Sequence, residues 1–171
     1  DAMKGSASTT TGINGAVAIG HQSLYSITSG LNTAIGYQSG YAITSGTQNT
    51  LIGYQAGYNN ITGGYNTLLG YQAGLNNKVD FNTAIGWAAM SKIGDTAGGG
   101  HGEKNVAIGP GAMAGGDDTV ANNTGNENIA IGTSTLGGAT RSSDGDAFTA
   151  EHNIAIGHEA GKSVTTGTNN V

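Results

Sequence analysis

The chain has 171 residues, a formal net charge of -5, one Pro and no Cys, and Gly, Thr, Asn and Ser together supply 82 of its residues. That balance excludes a disulfide scaffold or thiolate metal site and leaves the redox compartment open. It offers no basic face for nucleic acid, no apolar run near the roughly 20 residues that span a bilayer and no Gly-X-Y period of collagen.

Residues 1–14 read as an N-terminal lead-in. They open on Asp1 with no charged-then-apolar leader, so the chain is taken as a piece of a longer protein. Residues 15–91 then form a regular short-repeat unit. Asn32-Thr-Ala-Ile-Gly36 recurs ending at Gly53, Gly70, Gly86, Gly109, Gly132 and Gly157, an earlier copy ends at Gly20 without the Asn, and Asn170-Val171 resembles another opening. Residues 5–77 contain no Asp, Glu, Lys or Arg. Disorder fits such a polar stretch less well than order, because apolar residues return at fixed intervals. An uncharged surface of this kind suits a rigid extracellular fibre.

The columns of the repeat carry strand chemistry. Three before the anchor glycine stand Val17, Thr33, Thr50, Thr67, Thr83, Val106, Ile129 and Ile154, all β-branched. One before it stand Ile19, Ile35, Ile52, Leu69, Ile85, Ile108, Ile131 and Ile156, with Ala or Leu between. Alternation puts the Thr/Val and Ile columns on one face and the Ala/Leu column on the other. Both faces are apolar, so both are expected to be covered. A second segment, Ile27-Thr-Ser-Gly30, Ile43-Thr-Ser-Gly46, Ile61-Thr-Gly-Gly64 and Val164-Thr-Thr-Gly167, reads as a return strand or turn.

The expected fold class is all-β, a parallel β-solenoid or β-roll of eight to nine coils, roughly 40 Å long at about 4.8 Å per coil. The Ile face is expected inside each thin coil, and the mostly Ala face against another chain. Three copies about an axis would cover it, so an intertwined or side-by-side homotrimer is expected, with a dimer satisfying the argument less well.

Residues 92–171 continue the β-roll in longer units with insertions at 92–104, 115–127 and 137–152. Loops on a rigid repeat commonly carry recognition. His101, Lys104, Asp117, Arg141, Asp144, Phe148 and His152 are the candidate receptor contacts, with fibre-thickening decoration as the structural alternative. After the anchor, Tyr37, Tyr54, Tyr71 and Trp87 form a candidate aromatic strip for sugar rings; sealing the roll or a seam would use the same residues. Asn32, Asn49, Asn66, Asn82, Asn105, Asn128 and Asn153 read as a structural amide ladder. Ile35, Ile52, Ile85, Ile108, Ile131 and Ile156 read as a structural stack.

Nothing nominates an enzyme or a cofactor. Gly98-Gly-Gly100 lacks the ending of a phosphate loop, Gly-x-Ser-x-Gly is absent, and no catalytic carboxylate pair stands out. The four histidines lack zinc spacing, and the acids near Asp117, Asp144 and Glu151 match no EF-hand. Ice binding is set aside because Val or Ile replaces Thr in four of eight units.

The repeated Asn-Thr-Ala-Ile-Gly-Tyr-Gln-Ala-Gly pattern resembles the head repeats of trimeric autotransporter adhesins, and is more similar still to repeats of phage tail fibres. The resemblance implies a left-handed parallel β-roll trimer, although the later units here are longer than the family's short repeats. The expected role is a structural fibre segment contributing to host-surface attachment, as part of a phage tail fibre. Expected partners are sister chains, other fibre or particle proteins, and a host-surface glycan or protein receptor; neither nucleic acid nor membrane insertion by this segment is expected. The alternatives are a bacterial trimeric adhesin head at the cell surface and a glycan-degrading tailspike.

Overall fold

The computed structural model describes residues 1–3, 13–93, 102–115, 125–137, 149–164 and 166–171. Among these residues there are eight strands and no helix: β1 (Val17–Ile19), β2 (Thr33–Ile35), β3 (Thr50–Ile52), β4 (Thr67–Leu69), β5 (Thr83–Ile85), β6 (Val106–Ile108), β7 (Ile129–Ile131) and β8 (Ile154–Ile156). They make one parallel sheet in chain order. Register is column on column, with Thr33 opposite Thr50, Ala34 opposite Leu51 and Ile35 opposite Ile52. The last pair likewise sets Ala130 opposite Ala155. The molecule is a parallel β-solenoid.

Each anchor glycine turns the chain out of its strand at a φ between 125° and 137°. That region is closed to ordinary side chains. From Gly20 to Gly132, an added Cβ would also strike the carbonyl of the anchor glycine in the next coil. The four residues after the anchor twist twice through left-handed backbone, at Gln22 and Leu24 in the first coil and Gln38 and Gly40 in the second. Their amides bond from coil to coil: Gln38 N–H donates to His21 O at 2.9 Å and Gln55 N–H to Tyr37 O at 2.9 Å.

The segment expected as a return strand or turn is a turn. Around Ile27 and Ile43 the chain bends and forms no second strand. Its amides still bond axially, with Thr28 N–H donating to Thr44 O at 3.0 Å and Thr44 N–H to Ile61 O at 2.9 Å. In the third coil the inward place of Ile27 and Ile43 goes to Asn60. Its N–H donates to Gly57 O just as Ile43 N–H donates to Gly40 O, and the neighbouring Ile61 is exposed.

The two faces of the strand are reversed from the sequence expectation. Ala34, Leu51, Leu68, Ala84, Ala107 and Ala130 are completely buried inside the coil. The Thr/Val and Ile columns point outward, with Ile19 at 58% and Ile156 at 67% exposure. Volume explains the reversal. The opposite wall already fills the narrow interior with Leu24, Ile27, Ile43, Met90, Ile93, Met113 and Leu136, so two columns of β-branched side chains would not fit beside them.

Core volume is traded between strand and turn within a coil. Where the strand carries Ala84, Ala107 or Ala130, the fourth residue after the anchor is Met90, Met113 or Leu136. Where the strand carries Leu51 or Leu68, that residue is Gly57 or Gly74, and an added Cβ there would meet the Leu side chain. In the second coil both are small, Ala34 and Gly40, and Leu24 and Leu51 of the adjacent coils reach into the gap.

The first three residues also belong to this register. Met3 has φ 50°, and its N–H donates to Ser23 O at 2.9 Å, as Leu24 N–H donates to Ser39 O at 3.0 Å. Asp1-Ala2-Met3 thus aligns with Ala88-Ala89-Met90 and Gly111-Ala112-Met113. At the other end Ala155 and Gly161 are both small, and a cavity of about 300 Å³ opens beside Leu136, Val164 and Val171.

The volume trade is testable in the fifth coil. Ala84→Leu alone should overpack against Met90 and cost about 1–3 kcal/mol. Met90→Gly alone should cost about 2–5 kcal/mol. The double variant recreates the Leu51/Gly57 arrangement and should recover most of both losses in denaturant unfolding; additive losses would reject the pairing.

Candidate functional site

The outward face of the sheet is the largest regular surface that the strands build. Two columns run along it, and they stay in register because every strand pairs without slip. Ile19, Leu69, Ile108 and Ile156 are exposed, while Ile35, Ile52, Ile85 and Ile131 are half-buried. Val17, Thr50, Thr67 and Ile154 are exposed in the companion column. Together the two columns make a largely apolar stripe along the outside of the single chain. Below the sheet the Ala/Leu column is sealed by its own chain, so the face open to another chain is the Ile face.

Beside this stripe the residues after the anchors form ladders. His21 stacks on Tyr37 with centroids 5.4 Å apart, Tyr37 on Tyr54 at 5.3 Å and Tyr54 on Tyr71 at 5.0 Å, all within 12° of parallel. Each ring therefore covers its neighbour's face, and the ladder shows solvent a row of ring edges and hydroxyls. Sugar stacking uses ring faces, which here lie against one another. Trp87 extends the column at 60% exposure. Next to these rings the Gln amides run head to tail, Gln38 Nε2 donating to Gln22 Oε1 at 2.8 Å and Gln55 Nε2 to Gln38 Oε1 at 2.9 Å.

Composition alone did not reveal the further aromatic ladder of Tyr25, Tyr41 and Tyr58, stacked at 5.2 and 5.0 Å. The signal was in the sequence, five residues after each anchor. Tyr65 and Phe81 make another pair at 4.8 Å, in the column preceding the Asn ladder.

Of the seven candidate receptor contacts, His101, Asp117, Arg141, Asp144 and Phe148 lie outside the described residues. Lys104 and His152 belong to that same pre-Asn column and are joined through Glu127. Lys104 Nζ lies 3.2 Å from Glu127 Oε1, and His152 Nε2 lies 3.2 Å from Glu127 Oε2. All three are well exposed, so such pairs add little stability. Their backbones are left-handed, at φ 58°, 57° and 57°. On the last full coil Lys162 donates to Glu159 Oε1 at 2.7 Å, and that bond holds the Glu159 carboxyl below its usual range.

The Asn column is buried, and each amide serves two neighbours. Asn49 Oδ1 accepts from Asn66 N–H at 3.0 Å, and Asn66 Oδ1 accepts from Asn82 N–H at 2.9 Å. Asn66 Nδ2 donates across the coil to Val79 O at 2.8 Å. The pattern continues through Asn105, Asn128 and Asn153 to Asn170, whose N–H donates to Asn153 Oδ1 at 3.0 Å. Asn has the length to accept from one coil while donating within the next turn, which explains its repetition. Asn66→Ala should therefore orphan the Asn82 N–H and the Val79 carbonyl, at roughly 1–3 kcal/mol each, read as a lower unfolding midpoint. A loss below 1 kcal/mol would mean that the ladder contributes little.

Comparisons with protein-family models, curated proteins and solved structures find no match to this chain.

Proposed function

We propose that this chain is a structural rod segment of an extracellular homotrimeric fibre contributing to host-surface attachment, as in a phage tail fibre. The observation that carries the reading is the outward pair of columns, Thr/Val/Ile and Ile/Leu, which run the length of the sheet half-buried or exposed on the single chain. Sister chains with the same repeat bring the same columns at the same axial spacing, so rung meets rung over every coil. Three copies around an axis parallel to the rod would close that face.

Such a rod works mechanically. Parallel stacking makes it stiff along its axis, and three chains present each surface feature in triplicate, so weak contacts multiply through avidity. The short-repeat half, which carries no Asp, Glu, Lys or Arg up to Asn77, provides length, and the long-repeat half carries the insertions at 92–104, 115–127 and 137–152. Receptor contact by those insertions is part of the proposal.

Light scattering of the purified chain should return three times the 16.9 kDa chain mass. Ile85 is half-buried on the outer face, so Ile85→Asp should release folded single chains, because it sets unpaired charges against one another in the closed seam. Ala84 is sealed inside, so Ala84→Asp should abolish folding itself. A stable wild-type monomer, or an Ile85→Asp trimer as tight as wild type, would reject the assembly.

A further inference from the structure

We infer that the tyrosine ladders are sites of intrachain dityrosine cross-linking, covalent staples between successive coils of a chain that has no cysteine. All seven tyrosines lie between positions 25 and 71. Six stand in two stacks of three. Tyr37, Tyr54 and Tyr71 follow one another at 5.3 and 5.0 Å with rings 9° and 6° from parallel. Tyr25, Tyr41 and Tyr58 follow at 5.2 and 5.0 Å with rings 8° and 5° from parallel. In both stacks the phenol rings of neighbouring coils lie stacked and close to parallel. Tyr37, Tyr54 and Tyr71 are each more than 40% exposed, which admits an oxidant. The seventh, Tyr65, stacks on Phe81 and has no phenol partner in its column.

The chemistry needs a peroxide and a haem peroxidase. Each of two stacked phenols loses one electron and one proton to become a phenoxyl radical. The radicals join through carbons ortho to oxygen, forming one C–C bond. The two ortho hydrogens then move to the oxygens, and both rings recover aromaticity. The two electrons and two protons removed reduce one hydrogen peroxide to two waters.

The middle rungs decide the matter, because removing them leaves no stacked pair of phenols. The full chain would be treated with peroxidase and hydrogen peroxide, then assayed for dityrosine fluorescence and intact mass. Wild type should give single chains lighter by two hydrogens per bond, with raised thermal midpoints. Tyr41→Phe/Tyr54→Phe retains five tyrosines and the ring stacking, yet should lose the product. Tyr37→Phe/Tyr65→Phe removes as many phenols but leaves Tyr54–Tyr71 and both pairs of the other stack, so it should keep the product. Peptide mapping of wild type should place each bond between adjacent rungs, which tests the inference even if a variant misfolds. Absence of dityrosine in wild type, bonds to Tyr65, only interchain products, or undiminished yield in Tyr41→Phe/Tyr54→Phe would overturn it.

Discussion

In every coil after the first, the anchor-glycine N–H donates to the carbonyl of the Ile or Leu one residue before the preceding anchor, at 2.7–2.8 Å. This bond draws successive coils so close that nothing larger than a hydrogen fits between the anchors. The rest of the rod accommodates that spacing. Side chains in one column are brought to stacking distance, so like groups must tolerate like groups. Amides do so by bonding head to tail, rings by lying parallel, and polar heads by alternating donor and acceptor, as Lys104 and Glu127 show.

Axial spacing also accounts for the backbone. Twenty non-glycine residues among those described have positive φ. Each carries a cost of roughly 1–2 kcal/mol relative to ordinary backbone. The cost recurs at fixed columns because a turn this tight must aim its amides along the axis, and the bonds formed there offset it. Leu31, Tyr65 and Phe81 share the left-handed pre-Asn position with Lys104 and Glu127. That position therefore selects no residue type.

The strands, their parallel register and the Asn rung were legible in the sequence, since each depends on residue identity repeated at a fixed interval. Which strand face lies inside was not. Ala and Ile are both apolar, and the deciding fact is the volume supplied from across the coil by residues such as Met90 and Leu136, which no strand column contains. The small-for-large exchange of Leu51 with Gly57 and of Ala84 with Met90 was present in the letters. It becomes visible only once the fourth residue after the anchor is known to point inward. Met3 was missed for the same reason, as a lone Met in an irregular segment carries no repeat signature. Tyr37, Tyr54 and Tyr71 share a column in the letters, but the orientation of their rings follows from inter-coil spacing rather than from composition.

The exchange of bulk between strand and turn bears on how such rods can change length. A chain built of repeats this similar in amino-acid sequence can change length by gaining or losing whole coils. A coil that balances its own interior, such as the one holding Leu68 and Gly74, can be copied or lost with little penalty. The coil of Ala34 and Gly40 cannot, because its emptiness is filled by both neighbours. Length variants of this rod should therefore gain or lose the self-balanced coils and keep that one with its flanking pair.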